Sequence, residues 1–250
     1  MSVIYINGEF VNDTSTLISH KDCGFTTGIG IFDSMLAKDG KPVHVIEHYE
    51  RIMYDSETVI SLKPDLSFKD FCGVVARLLS HNADGASYAR IRTTVTGGTV
   101  ETPLAKAQTS TILIDVTPCT EPDNTPITCA IITDYPRISG CILENCKKLD
   151  YSRSYTARRE AENFGAEEAI LINTDGNISC GATSNLFIEE NGILITPPLS
   201  DGVLAGVTRR KIIEERDVRE ESISIERLKN ANKIYLTNSF IGLKPVILNS

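Results

Sequence analysis

The sequence predicts an α+β fold in two parts, and three observations lead to this expectation. Helical and strand patterns are interspersed with hairpin signals in both halves of the chain. A segment rich in proline and turn-forming residues, 118–126, divides the 250 residues into two similar halves. The run Gly28-Ile29-Gly30 lacks the third glycine and the long βαβ context of a dinucleotide site. We therefore expect an N-terminal α+β domain over 1–117, a linker over 118–126 and a strand-rich α+β domain over 127–250.

In the first half, the spacing of hydrophobic residues predicts both strands, with a period of about two, and helices, with a period of about 3.6. Residues 1–8 indicate a short strand that ends in a turn, and β-branched runs predict strands over 88–96 and 110–116. Helices are expected over 48–60 and 67–79. In the second of these helices, Ser67 followed three residues later by Asp70 resembles a capping arrangement.

The second half is richer in strand. Strands are expected over 127–133, 169–173 and 234–237, and the runs 186–189 and 193–196 flank Asn191-Gly192, a strong hairpin signal. A helix over 151–164 is expected to end at Gly165, which suits a C-terminal cap. A further helical run, 209–215, follows Thr208, a residue type able to cap a helix.

Composition and charge narrow the classes of partner. A net charge of −8 and a pI near 5.1 argue against a nucleic-acid or anionic-membrane surface. No apolar stretch approaches the roughly 18 residues of a membrane span, and the N-terminus lacks the build of a signal peptide. The seven cysteines include no C-x-x-C pair, so no metal site is expected. We expect reduced thiols and a cytoplasmic location.

Six short segments, spread along the chain, carry residue types that suit phosphate binding and lysine chemistry. They are residues 27–33 (TGIGIFD), 48–51 (HYER), 147–151 (KKLDY), 175–187 (DGNISCGATSNLF), 204–209 (LAGVTR) and 237–239 (TNS). Together and in this order, they resemble the fold-type IV pyridoxal-phosphate enzymes. This family contains branched-chain aminotransferases, D-amino-acid aminotransferases and aminodeoxychorismate lyases.

The resemblance runs from about Ile6 to Val246 and carries expectations for the whole molecule. It implies a two-domain fold-type IV architecture with pyridoxal 5'-phosphate in the cleft between the domains. It also implies a homodimer in which the partner subunit contributes to the substrate pocket.

The resemblance assigns the Schiff-base lysine to Lys147. By spacing alone, a Lys-Lys pair is more often a solvated edge, and Lys148 stands where the family has a small polar residue. A nucleophilic lysine must be partly desolvated and its pKa lowered. Tyr151 is similar to the tyrosine that donates to the ring hydroxyl of the cofactor; its alternative is a core aromatic residue.

Three separate segments are similar to the parts of the family that bind the cofactor phosphate. Val207 and Thr208 precede a helix, whose N-terminus offers free amides and a favourable dipole. Thr237 and Asn238 match a second phosphate-binding turn. Arg51 matches the arginine that pairs with the phosphate; its alternative is a surface arginine on an amphipathic helix.

Two departures from the family pattern affect the chemistry. Cys180 stands where the family has a glutamate against the pyridine nitrogen, and a thiol is only a weak donor and acceptor. D-amino-acid aminotransferases carry an arginine for the substrate carboxylate where Gly97 stands, and a tyrosine where Phe32 stands. Arg90 or Arg92 is able to supply a replacement charge for substrate binding, although both also fit outward-facing strand positions.

Three functions follow from these residues. The first is an aminotransferase that moves an amino group between an amino acid and a 2-oxo acid. The second is a lyase that converts aminodeoxychorismate to 4-aminobenzoate and pyruvate, favoured by the absent carboxylate trap and the short chain. The third, prompted by Cys180, is a catalytically weakened family member that binds the cofactor.

Overall fold

The computed structural model describes residues 2–15, 18–102 and 104–249. They divide into two compact units, Met1–Glu121 with Cys146–Asp150, and Pro122–Asn145 with Tyr151–Ser250. Each unit combines helices with one sheet, so the predicted α+β class is confirmed. No helix in the described ranges is both long and apolar enough to span a membrane.

In its described residues, the first unit contains a six-stranded antiparallel sheet and three α-helices. The strands follow the order β2-β1-β6-β5-β3-β4. The elements are β1 (Val3–Ile6), β2 (Glu9–Asn12), α1 (Cys23–Thr27), β3 (Gly30–Lys38), β4 (Lys41–Pro42), α2 (Val45–Ile60), α3 (Phe68–Asn82), β5 (Tyr88–Thr96) and β6 (Thr111–Pro118).

One face of this sheet is apolar and packs against the helices. Alternate residues of the central strands, such as Ile91 and Val95, are buried with Phe71 and Leu78 of α3 in one core. Because side chains alternate across a strand, the residues between them lie on the opposite face. Phe32 and Arg92 belong to that second face of the sheet.

The second unit contains a nine-stranded sheet of mixed direction, in the order β12-β11-β10-β14-β15-β7-β8-β9-β13. The pairs β11/β12, β15/β7 and β7/β8 are parallel, and the other neighbours are antiparallel. The elements are β7 (Ile127–Arg137), α4 (Ser152–Asn163), β8 (Glu168–Asn173), β9 (Asn177–Gly181), β10 (Asn185–Glu190), β11 (Ile193–Thr196), α5 (Val207–Glu215), β12 (Val218–Glu220), β13 (Ile223–Ser224), α6 (Ile225–Asn230), β14 (Lys233–Asn238) and β15 (Ile241–Leu248).

The local signals in the sequence are largely confirmed. Strand β5 has the predicted bounds, β10 and β11 form the predicted hairpin, and Ser67 caps α3 by accepting from the Asp70 amide at 3.1 Å. Gly165 follows α4 with a φ of 72°, as expected of a glycine that ends a helix.

Three boundaries differ from the predictions. Helix α2 begins at Val45 because His44 takes a left-handed conformation. Strand β7 continues past Pro136 to Arg137, with an irregular register after Ile132. Helix α5 begins at Val207 with Gly206 as its N-cap, so that Thr208, a residue type able to cap a helix, lies inside the first turn.

Candidate active site

Three hydrogen bonds hold the segment that contains Lys147 against other elements of the first unit. Its amide donates to Asp55 Oδ2 of α2 at 2.9 Å, and its carbonyl accepts from the Phe32 amide of β3 at 2.9 Å. Two residues further on, the Leu149 amide donates to the Gly30 carbonyl at 2.9 Å. These bonds place Lys147 Nζ 4.4 Å from the centroid of the Phe32 ring.

A glycine is required where this segment meets β3. A Cβ at position 30 would lie 2.6 Å from Leu149 Cδ1 and 2.7 Å from the Val95 carbonyl oxygen. Backbone cannot move aside as a flexible side chain can, so a larger residue would push the segment of Lys147 away from the strand.

The surroundings of Lys147 favour its neutral amine. Burial, together with the positive charges of Arg51 and Arg92, lowers the pKa of Lys147 to about 8, although Asp33 and Asp55 oppose this shift. An amine with such a pKa is a useful nucleophile and proton acceptor near neutral pH. This environment fits the role that the resemblance implies for Lys147.

Arg51 lies in a buried cluster with Asp33 and His48. Asp33 Oδ2 accepts from Arg51 Nε at 2.9 Å and lies 2.7 Å from Nη2, while Asp33 Oδ1 lies 2.7 Å from His48 Nδ1. Burial raises the pKa of Asp33, but Arg51 and His48 outweigh it and hold the pKa well below its usual range. The carboxylate therefore stays charged and fixes the plane of the Arg51 guanidinium.

Asp55 is a site residue that sequence reasoning missed. It is buried, and it accepts the Lys147 amide; burial raises its pKa despite that bond and the nearby Arg51. Its signal was helical periodicity, since His48, Arg51 and Asp55 recur at spacings of three and four on one face of α2. The same carboxylate adds to the effect of burial in raising the pKa of Cys146 to about 12.

Arg92 and Arg90 lie on the same face of β5 but have different neighbours. The Arg92 guanidinium carbon is 4.1 Å from the centroid of the Phe32 ring, and its charge lowers the Lys147 pKa. Arg90 is exposed; it opposes the burial that raises the pKa of Asp115. The structure thus brings Arg92, and not Arg90, to the surroundings of Lys147.

Gly97 is enclosed by packing. A Cβ there would lie 2.8 Å from Cys23 Sγ and 3.1 Å from both Ala107 Cβ and Ile60 Cγ2. The space that a side chain at this position would occupy is filled by the first unit itself.

In the second unit, the N-terminus of α5 is open to an anion. No side chain caps this helix, whose N-cap is Gly206, so the first-turn amides of Val207 and Thr208 are available. Asn185 fixes the approach: its Nδ2 donates to the Leu204 carbonyl at 2.9 Å. A Cβ at Gly206 would lie 2.0 Å from Asn185 Oδ1.

The other predicted cofactor residues of this unit lie at strand and helix ends. Thr237 is buried and donates to the Ile241 carbonyl at 3.2 Å, and Asn238 Oδ1 accepts from the Phe240 amide at 2.9 Å. Both stand at the end of β14, next to the first residue of β10, Asn185. Tyr151 is partly buried at the N-cap of α4 rather than inside the helix.

Cys180 is buried in β9 and lies near Arg137, and two polar atoms of the same unit lack hydrogen bonds. Ser184 Oγ and Arg137 Nε are buried and have no hydrogen-bond partner among the described residues. Arg137 was not found from the sequence, because Pro136 indicates the end of a strand rather than its continuation.

The sequence matches the family described as amino-transferase class IV over residues 30–248. The chain belongs to this family. Class IV aminotransferases depend on pyridoxal phosphate, and the resemblance seen in the sequence is confirmed.

Individual class IV relatives cover nearly the whole chain. A putative branched-chain-amino-acid aminotransferase of Methanocaldococcus jannaschii is 30% identical over 97% of this chain and 86% of its own length. A D-alanine aminotransferase of Staphylococcus epidermidis is 28% identical over 98% and 88%. The crystal structure of a putative 4-amino-4-deoxychorismate lyase from Legionella pneumophila has a TM-score of 0.86 and 26% identity, covering 94% of this chain and 88% of that one.

The residues present fit the class IV cofactor. The uncapped N-terminus of α5 suits a phosphate, the partly buried Lys147 has a lowered pKa, and Ser184 Oγ has no hydrogen-bond partner among the described residues. The resemblance implies a carboxylate at position 180, where this chain has the thiol of Cys180.

Proposed function

We propose that this chain is a pyridoxal-phosphate-dependent aminotransferase in which Lys147 carries the cofactor and moves the proton. Its substrates are an amino acid and a 2-oxo acid. The observation that carries the assignment is the partly buried Lys147, anchored through its backbone to Asp55 and Phe32, with a pKa of about 8. When bound, the cofactor supplies an electron-withdrawing ring that stabilises negative charge at the substrate α-carbon.

The protein residues divide the remaining work. As general base, Lys147 Nζ would accept the proton of the substrate α-carbon and deliver it two atoms away in a 1,3-shift, which its lowered pKa permits near neutral pH. In the first unit, Arg51, held by Asp33, would pair with the cofactor phosphate. In the second unit, the amides of Val207 and Thr208, with Thr237 and Asn238, would bind the same group. Tyr151 donates to the ring hydroxyl.

Arg92 is the candidate for binding the substrate carboxylate. It belongs to the surroundings of Lys147, through the Phe32 ring and through its effect on the lysine pKa, whereas the position of Gly97 is closed. A guanidinium binds a carboxylate with two parallel hydrogen bonds. Arg92→Lys should raise KM for the amino donor more than it lowers kcat.

A lyase acting on aminodeoxychorismate is the second candidate. The closed position at Gly97 and the likeness to the Legionella protein favour it. Lys147 would then remove the α-proton before the carbon–oxygen bond breaks. Release of pyruvate from aminodeoxychorismate by the holoenzyme, without a 2-oxo acid acceptor, would distinguish this reaction from transamination.

The test of the proposed function begins with the cofactor bond. Borohydride reduction of the protein incubated with pyridoxal phosphate should label the peptide at Lys147, and Lys147→Ala should abolish the label. Lys148→Ala is the matched control and should retain it. An amino-donor screen should then yield pyridoxamine phosphate. Label on Lys148 would contradict the assignment. Binding of pyridoxal phosphate without any turnover would also contradict it and would favour a catalytically weakened family member.

We also propose a homodimer in the cytoplasm. The seven cysteines are all unpaired, as expected for a reducing compartment. Sedimentation equilibrium should give twice the chain mass, and a monomeric active species would refute the dimer.

A further inference from the structure

The Nε of Arg137, at the end of β7, is a buried donor without a well-placed acceptor. Its Nη1 donates to Glu144 Oε2 at 3.2 Å, and its Nη2 donates to Ser154 Oγ of α4 at 2.9 Å. Its Nε is buried and has no partner within residues 2–15, 18–102 and 104–249. A buried guanidinium donor without a well-placed acceptor costs free energy, and the neighbouring Cys180 offers only sulfur, a weak acceptor.

The side chain of Cys180 lies near Arg137. Strand β8 pairs with β7 on one side and with β9 on the other, so that Arg137 lies opposite Asn173 and Cys180 lies opposite Leu171. Cys180 packs with Ala157 of α4, the helix that Arg137 also contacts. Both residues therefore lie on the α4 face of the sheet.

The guanidinium of Arg137 is charged. Burial lowers the pKa of Arg137, but its polar neighbours, including Glu144, outweigh burial and raise it. Glu144 is buried, and its two oxygens accept from Arg137 and, at 2.6 Å, from Arg153. Two guanidinium groups thus share one carboxylate, and one of them, that of Arg137, lies near Cys180.

We propose that Arg137 and Cys180 hold the pyridine nitrogen of the bound cofactor without a proton. The inference rests on the proposed function, in which Cys180 takes the position of the carboxylate that the family places against this nitrogen. A pyridinium needs a nearby negative charge, whereas here it would face a guanidinium, and like charges disfavour the charged form. The Cys180 thiol is a weak donor and suits an unprotonated nitrogen that only accepts.

The consequence concerns the reaction that this site promotes. An unprotonated ring would withdraw electron density from the substrate α-carbon less strongly than a protonated one. The α-proton that Lys147 removes would therefore be less acidic. Residue 180 then becomes a determinant of how fast the α-proton is exchanged, separately from how tightly the cofactor binds.

The test is ¹⁵N NMR of the holoenzyme loaded with pyridoxal phosphate labelled at the ring nitrogen. The wild-type protein and Cys180→Ser should show the shift of a neutral pyridine nitrogen at neutral pH. Cys180→Glu should move the resonance to the pyridinium position, since the introduced carboxylate pairs with both Arg137 Nε and the ring. Cys129→Ser, a buried cysteine of β7 in the same unit, is the matched control and should leave the shift unchanged.

The outcomes separate this inference from the proposed function. A pyridinium signal in the wild-type holoenzyme overturns the inference and leaves the cofactor assignment standing. A neutral signal in both the wild type and a folded Cys180→Glu overturns the role of residue 180. A protein that binds no cofactor, or is not labelled at Lys147, overturns the proposed function and this inference with it.

Discussion

At the scale of single residues, backbone hydrogen bonds fix the position of Lys147, and neighbouring charges help to set the pKa of its amine. The anchors are hydrogen bonds to Asp55 and Phe32, and the charges are those of Arg51 and Arg92 opposed by Asp33 and Asp55. A substitution of Asp55 therefore affects both position and pKa, whereas a substitution of Arg92 affects the pKa without touching an anchor.

The lowered pKa of Lys147 predicts a pH dependence of stability in the cofactor-free protein. Its folded pKa of about 8 lies below the ordinary lysine value of about 10.4, so between these values the unfolded chain binds more protons. The free energy of unfolding should therefore rise with pH across this window. Lys147→Met removes this contribution and should raise Tm by several degrees at pH 7, with a gain that shrinks by pH 10.

Thermal unfolding of the two proteins from pH 6 to 10 checks this expectation. Lys148→Met is the control at the adjacent position and should show no comparable gain at pH 7. A gain for Lys147→Met that is the same at every pH would mean that ordinary hydrophobic burial, and not the proton, is responsible.

At the scale of elements, the open N-terminus of α5 depends on a residue without a side chain. Gly206→Ala places a methyl group against Asn185 Oδ1 and should displace Asn185 or the first helical turn. We expect cofactor affinity to fall at least about tenfold, which corresponds to about 1.4 kcal/mol, with the fold retained. Fluorescence titration with pyridoxal phosphate measures the affinity, and circular dichroism checks the fold.

Gly242→Ala is the control for this prediction. A Cβ at Gly242 meets no atom within 4 Å, so affinity should not change. Equal affinities of the two variants would show that α5 does not bind the cofactor phosphate.

Elements with strong local signals were predicted from the sequence, and elements shaped by tertiary contacts were not. Strand β5 and the cap at Ser67 follow from alternation and from a short-range hydrogen bond. The continuation of β7 past Pro136 depends on its neighbour β8, which satisfies the pairing beyond the irregular register. The sequence pointed to Lys147 and Arg51 through motifs, but Asp55 and Arg137 act through partners that only the folded chain brings near.

At the scale of the whole molecule, the chain passes into the first unit twice. Residues Cys146–Asp150 belong to the first unit, although the residues on either side of them belong to the second. Between Glu121 and Thr125 the chain is without helix or strand and is mostly exposed, and we propose that residues 118–126 form the accessible connection.

Limited digestion with a protease that cuts after acidic residues should cut first at the exposed Asp123–Asn124 bond, because Pro122 protects the bond that follows Glu121. The nicked protein should keep the elution volume of the intact protein, because the segment of Lys147 remains bonded to β3. Size-exclusion chromatography and mass spectrometry of the eluted peak check this. Separation of the two fragments without denaturant would mean that the contacts of Lys147 and Leu149 with β3 do not suffice to hold them.

The same hydrogen bonds between β3 and residues 146–150 determine when the lysine can join the sheet during translation. Gly30 and Phe32 leave the ribosome long before Leu149, so a nascent first half holds Asp33, His48 and Arg51 but has no lysine beside them. Only when the chain has been extended past Asp150 does the reactive amine join the sheet. A translation product that stops at the linker would therefore lack the chemistry of the complete enzyme, and the cell would not expose an activated lysine on a half-made chain.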